Sequence, residues 1–517
     1  MSGQLFKSTA VVGGMTMISR LLGFVRDMLI ARLFGVNPAT DAFFVAFKIP
    51  NFLRRLFTEG AFAQAFIPAL SDQKERGSRA ALKQFVDRTA GSLVLVLMLV
   101  TILGMIAAPV LITLFAPGFI WQGSQHELAV QMLRITFPYL FFISSVAFAG
   151  SVLNAHGKFA IPALTPALLN ICMIAAAIWL APLMAEPVAA LAWGVFIAGV
   201  VQLLFQMPAL MRLGLLPRPR FDFNDVGVKR MMGFMLPAIL GVSATQINLL
   251  LDTLMASFLG AGSVSWLYYS DRLVEFPLGI FGIAVATVIL PSLSKNHAAD
   301  DARAFSNSLD WGLRLVLLIG MPAMVGLLML AEPILSTLFQ YKEFGADDVQ
   351  LAGQSLMAYS AGLLAFILIK VLAPGFTSRQ DMKTPVRYGL YAIAANIILN
   401  AALMFPMAHA GIALATSLSA FLNAFLLLGK LLKEKVYRPA EGWALFWVRI
   451  LLASAVMAAA LYYSVDVSQW GQWDSMDRVI NLIVWIAIGC AIYAFTLVMT
   501  GLRFKHLVGW HDSNVLQ

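Results

Sequence analysis

Residues 19–60 read SRLLGFVRDMLIARLFGVNPATDAFFVAFKIPNFLRRLFTEG, and the reading of this stretch decides the fold. Two apolar runs of helical length meet at Gly35-Val36-Asn37-Pro38, a turn signal. Between them they carry Arg20, Arg26, Asp27, Arg32, Asp41, Lys48, Arg54, Arg55 and Glu59. On insertion scales a charged side chain at the centre of a bilayer costs about 2.5–3.5 kcal/mol, so a group of them implies a wet, partnered interior. The stretch reads as the inside of a membrane-embedded bundle.

The remaining chain supplies the apolar frame. Its 517 residues are 60% hydrophobic and 12% charged, with a mean hydropathy of +0.81, whereas soluble domains carry about 25% charged residues. Apolar runs of about 20 residues recur throughout, and the ten-residue alternation of a membrane barrel is absent. The expected fold is an all-α integral membrane protein with about 14 transmembrane helices. We place them at 8–33, 39–70, 89–115, 128–152, 160–182, 188–211, 231–259, 264–293, 310–338, 350–374, 386–406, 411–431, 443–464 and 479–501.

Lys and Arg collect in cytoplasmic loops. With both termini cytoplasmic, one set of alternate connections carries 23 basic residues, and the opposite set carries Lys342 and Arg478. The net charge of +9 is thereby partly topological and calls for no nucleic-acid partner. Basic loops such as 72–88 and 212–230 meet anionic membrane lipid by default.

The chain also matches itself at offsets of 223–225 residues. Arg26–Gly35, RDMLIARLFG, lies over Leu251–Gly260, LDTLMASFLG, which aligns Asp27 with Asp252. Pro109–Phe115, PVLITLF, lies over Pro333–Phe339, PILSTLF; LAVQML from Leu128 lies over LAGQSL from Leu351; and Pro162 falls on Pro385. The repetition implies two parallel six-helix repeats, 1–220 and 221–435, around a central cationic cavity, as in transporters that rock about a midplane site. Residues 436–517 hold two extra helices and a tail.

The charges now find faces. Asp41, Lys48 and Arg55 are seven apart on one helical face, extended by Asn51 and Glu59, and Pro50 interrupts the helix. Ser19 and Arg26 are also seven apart. Residues 20–59 hold six basic groups against three acidic ones. Internal ion pairs, Asp27 with an Arg and Glu59 with Arg55, account for part of this; the excess of positive charge points to an anionic ligand. In the second repeat, Asp271, Arg272 and Glu275 recur in SWLYYSDRLVEFPLG. Guanidinium groups at Arg26, Arg55 and Arg272 suit a pyrophosphate. Asp252, Asn396, Asn400 and Thr416 offer oxygens either to a hard monovalent cation or to a hydrogen-bonded structural cluster.

Other chemistry has no sequence support. No Walker A pattern occurs, the six histidines show no metal spacing, and Cys172 and Cys490 read as reduced thiols in apolar spans. A polyprenyl-phosphate glycosyltransferase would need loop carboxylates that are lacking. The chain reads as a transporter, not an enzyme, with no resident cofactor.

The stretches SRLLGFVRD, TDAFFVAFKIPNFLRRLFTEGAFAQAFIP, GSVSWLYYSDRLVEFPLGIFG and APGFTSRQDMKTP resemble the MurJ (MviN) lipid II flippases of the multidrug/oligosaccharidyl-lipid/polysaccharide exporter superfamily, over essentially the whole length. The resemblance implies outward flipping of undecaprenyl-pyrophosphate-linked peptidoglycan precursor across the bacterial cytoplasmic membrane, with lipid II as cargo and cell-wall synthesis proteins as candidate partners. It implies substrate contacts at Ser19, Arg20, Arg26, Asp27, Asp41, Lys48, Asn51, Arg54, Arg55, Glu59, Asp271, Arg272 and Glu275. It also implies a sodium site at Asp252, Asn396, Asn400 and Thr416, although a second acid expected there is Asn400 in this sequence. The alternative is another polyprenyl-linked glycan, or a drug, as cargo; a basic interior opposes cationic drugs.

Overall fold

A computed structural model describes residues 2–55, 63–220 and 250–502. These are helical with no strand among them, as the sequence leads one to expect. The chain divides into two compact units, Met1–Ser265 and Trp266–Gln517.

In the first unit, α1 (Ser2–Phe34) and α2 (Pro38–Arg54) are separated by the Gly35–Asn37 turn. Gly35 has a φ of +61°, which a residue without Cβ adopts freely. Asn37 then caps α2, accepting from the Ala39 and Thr40 N–H groups, while Thr40 Oγ1 accepts the Asn37 N–H in return. The chain continues through α3 (Ala63–Arg76), α4 (Arg79–Ile106), α5 (Ala108–Phe115), α6 (Ser124–Thr136), α7 (Tyr139–Ala155), α8 (Ala160–Ala175) and α9 (Ala189–Leu213). α1 packs on α8, α2 on α6, and α9 on both α7 and α8. Helix boundaries differ from expectation at several places, most plainly before the third expected span. Residues 72–88 are not a loop, because α3 runs to Arg76 and α4 begins at Arg79, with Ser78 capping it through the Ala81 N–H.

Helical residues 250–257 close the first unit, and α10 (Ser263–Pro277) begins at its edge. The second unit continues with α11 (Ile283–Ala298), α12 (Ala302–Met329), α13 (Ala331–Phe339), α14 (Ala346–Leu372), α15 (Lys383–Lys433), α16 (Trp443–Ser464) and α17 (Ser475–Met499). α14 packs against both α12 and α15, and α16 lies on α17 and α12.

The sequence repeat has a local structural counterpart. α4 and α12 are both 28-residue helices, each broken by one residue before a short helix formed by PVLITLF or PILSTLF. LAVQML and LAGQSL then fall in the next helix of each series, α6 and α14. Pro162 and Pro385 sit in the first turns of α8 and α15, where a missing N–H costs no helical bond.

Among the described residues, nine helices are long and apolar enough to cross a membrane, ten if the bent pair Ser263–Gly282 and Thr287–Ala298 is one span. The chain is a multi-pass membrane protein. The 51-residue α15 holds the eleventh and twelfth expected spans: after Pro406 it breaks at Ala408, with a φ of +48°, and a Cβ on Gly411 would strike the Leu403 carbonyl. Most of the seventh expected span, at 231–249, lies outside the described residues, and the count of fourteen stays an expectation.

Candidate functional site

α1 and α8 are held together at a buried polar point. Arg26 lies against its sequence neighbour Asp27, with Nε and Nη2 both donating to Asp27 Oδ1, at 2.9 and 2.6 Å. Its Nη1 reaches Asn170 Oδ1 at 3.1 Å, and Asn170 Nδ2 donates to the Ser19 carbonyl at 3.0 Å. Asp27 is fully buried and Arg26 is 6% exposed. The internal pairing weighed for Asp27 therefore occurs, and it engages one of the three guanidiniums expected to grip an anion. Arg20, by contrast, is exposed on α1.

α2 changes character along its length. From Thr40 to Phe47 every residue is buried. Asp41 ends this half, its carboxylate accepting from the Gly262 N–H (2.6 Å), the Ser265 N–H (2.8 Å) and the Ser265 hydroxyl (2.5 Å). Those N–H donors lie at the start of α10, and a carboxylate there meets both unsatisfied donors and the positive end of the helix dipole. Asp41 works as a helix anchor, which the stripe pattern alone did not reveal.

From Lys48 onward the helix opens. Lys48 is half-buried and donates to Thr253 Oγ1 at 2.6 Å. Pro50 cannot donate to the Ala46 carbonyl one turn back, and the Thr136 hydroxyl of α6 supplies that bond at 3.2 Å. Asn51, Arg54 and Arg55 are all half-buried. Asn51 accepts from Arg54 Nε at 3.3 Å and donates to the Phe47 carbonyl. The Arg55 side chain has no hydrogen-bond or ionic partner among the described residues. Glu59, expected to extend this face and to pair with Arg55, lies outside the described residues. The last turn of α2 is thus an accessible cationic surface on an otherwise buried helix.

In the second unit, Arg272 pairs with Glu275 at 3.0 Å, with side chains 35% and 43% exposed, and Asp271 is half-buried on the same helix. Such a pair is weak in itself and open to exchange. Asn396 and Asn400 are buried, one turn apart on α15. Asn400 Nδ2 donates to Asn396 Oδ1 at 3.0 Å and Asn396 Nδ2 to Thr416 Oγ1 at 3.1 Å. The ladder is neutral, and two of its oxygens accept within it. Asp252 is a buried residue of the first unit. Among the described residues no three His, Cys, Asp or Glu side chains are grouped to hold a metal.

Asn170, Thr253, Thr136 and Ser265 were missed in the sequence. Only Asn170 left a signal there: a lone amide in an apolar helix, which in a membrane needs a partner.

Known proteins share both the sequence and the fold. A family model described as lipid II flippase MurJ matches residues 30–483. A probable lipid II flippase MurJ of Vibrio cholerae serotype O1 is 47% identical over 98% of this chain and 98% of its own. A lipid II flippase MurJ of Burkholderia cenocepacia is 39% identical over 97% and 98%. A solved structure of the lipid II flippase MurJ in an inward closed conformation superposes with a TM-score of 0.78 at 26% identity, covering 95% of this chain and all of that one. An inward-facing multidrug resistance MATE transporter of the MOP superfamily shares the fold alone, at 16% identity and a TM-score of 0.65 over 83% of this chain and 98% of its own. The chain belongs to the MurJ family of lipid II flippases.

Proposed function

We propose that this protein flips lipid II, the polyprenyl-pyrophosphate-linked peptidoglycan precursor, from the inner to the outer leaflet of the bacterial cytoplasmic membrane, with both termini cytoplasmic. Near-full-length similarity to proteins of that name supports the cargo. The observation that carries the chemistry is the half-buried final turn of α2, where Arg54 and Arg55 sit beyond the buried stretch Thr40–Phe47.

Guanidinium forks bind phosphate oxygens two at a time, so Arg54 and Arg55 take the pyrophosphate, with Asn51 one turn and Lys48 two turns behind them. Arg26, tied to Asp27 and Asn170, positions α1 against α8 and contributes its charge from behind. Arg272 of the second unit, paired with Glu275, adds a further guanidinium. The headgroup passes through by alternating access while the lipid tail stays in the bilayer. With the cell interior negative, each anionic charge moved outward gains about 2.3 kcal/mol per 100 mV, so the membrane potential can drive the cycle without a nucleotide.

The test is flipping of fluorescent lipid II in proteoliposomes under an imposed potential. The parent flips; Arg55→Ala and Arg54→Ala each slow flipping at least tenfold with unchanged melting; Arg272→Ala has a smaller effect. Normal flipping by all three variants would remove the pyrophosphate grip, and a parent that never flips lipid II would remove the function.

A further inference from the structure

The chain leaves α9 in a way that its helical bundle controls. α9 ends in a Schellman turn: Gly214, at φ +66°, donates to the Met211 carbonyl, and Leu215 donates to the Leu210 carbonyl. Leu215 is buried with Leu82, Phe85, Val86 and Ala90 of α4 and with Leu210. Arg79 Nη2 caps the Leu213 carbonyl at 3.1 Å.

Beyond Leu216 the chain runs Pro217-Arg218-Pro219-Arg220, an extended segment in which only alternate residues possess an N–H. Both available donors land on one residue of α4. The Arg218 N–H reaches Asp87 Oδ1 at 2.8 Å, and the Arg220 N–H reaches the Asp87 carbonyl at 3.1 Å. Asp87 is buried and held by Lys83, one turn before it. One turn after it, Gly91 has no side chain, and a Cβ there would overlap the Arg220 backbone. Arg79, Lys83, Asp87 and Gly91 are four apart in succession, a single stripe along α4 facing the departing chain.

We infer that Pro217–Arg220 is a strap clamped to α4 by Asp87 and Gly91, which stays closed throughout the transport cycle. This rests on the flippase reading. Asp87 and Gly91 are positioning residues: they touch no cargo, and they hold the strap on α4.

Two measurements on the full chain in lipid test it. The first is independent of transport: amide exchange of the 214–220 peptide, where the prolines leave few amides to read. Asp87→Ala and Gly91→Ala each speed exchange of the Arg218 and Arg220 amides at least tenfold, with the rest of α4 unchanged. Gly91→Ala keeps the carboxylate, so it remains informative should Asp87→Ala fold poorly. The second is transport: Gly91→Ala slows flipping about fivefold, and, with Cys172 and Cys490 replaced by Ala, the reduced Asp87→Cys, Arg218→Cys variant, whose clamp is gone, is slowed likewise, while its disulfide returns flipping to within twofold of the parent. Exchange unaltered by Gly91→Ala, or flipping that stops on oxidation and returns on reduction, overturns the closed strap. A parent that does not flip lipid II instead counts against the function, and the exchange result still stands or falls by itself.

Discussion

Each unit contains a deeply buried Arg–Asp pair among its described residues, and the two are built differently. Arg26 and Asp27 are adjacent in sequence and join α1 to α8 through one amide, Asn170. Arg314 and Asp310 are one turn apart on α12, with Nε to Oδ2 at 2.7 Å. Asp310 Oδ1 also accepts from the Tyr437 hydroxyl (2.8 Å), Trp443 Nε1 (2.7 Å) and the Ala440 N–H (3.1 Å), while Arg314 donates to the Glu441 carbonyl and lies over the Trp443 ring. The second pair is the hub of a joint that fastens the 437–443 connection and the start of α16 onto α12. The first sits on a helix that precedes the cationic turn of α2. A buried pair saturated by backbone and aromatic donors reads as a fastener; one on the helix before the cationic turn is the better candidate for a working group.

The largest effect that would sharpen this contrast is at the fastener. Asp310→Ala leaves Arg314 buried without its carboxylate and strips three donors of their acceptor, so a loss of about 3–5 kcal/mol is expected. The readout is a lower melting temperature in detergent, with early proteolysis in 434–442. Next comes the replacement of the first pair by apolar residues of like size, Arg26→Met with Asp27→Leu. Buried pairs exchanged whole for hydrophobes often cost little stability, so this variant should melt close to the parent while flipping falls about tenfold. If it flips normally, both pairs are fasteners and the distinction fails.

Asn170→Ala comes third. It removes one bond to Arg26 and one to the Ser19 carbonyl, and membrane helix hydrogen bonds are worth about 0.6 kcal/mol each on average. A melting shift of a few degrees is expected, alongside a measurable slowing of flipping. The smallest effect concerns pH at the fastener. Burial first, then the Asp310 carboxylate, holds the Tyr437 phenol well above its usual range. The neutral phenol is favoured in the folded protein, so its contribution is complete below the unfolded value of about 10 and is lost as pH rises beyond it. Melting temperature should decline above about pH 10, with a shallower slope in Tyr437→Phe.

The two pairs also show why the chain was only partly legible. Arg26, Asp27, Lys48, Arg54 and Arg55 stood out because charge in an apolar run is conspicuous, and they do lie on the helices expected. Asp310 and Arg314 stood one turn apart in an expected span, yet their partners Tyr437, Trp443 and Ala440 lie more than a hundred residues on, and nothing local announces them. Asp41 looked like one member of a cationic stripe. Its donors, Gly262 and Ser265, are more than two hundred residues away, and they make it an anchor. The repeat, by contrast, was readable at element level, because PVLITLF and PILSTLF carry the same local instruction to form a short helix after a break.

Hydrophobic run length, charge placement and internal repetition are local properties, and the bilayer converts them directly into spanning helices because an isolated segment can satisfy its backbone there in no other way. The sequence by itself therefore determined an all-α multi-pass membrane protein, its repeated helix series and the helices bearing its cationic groups. Which charges neutralise one another was decided by tertiary structure. An ion pair, a helix cap or the Asp87 strap requires donor and acceptor within about 3 Å, and only packing brings residues 26 and 170, 41 and 265, or 87 and 218 to that separation.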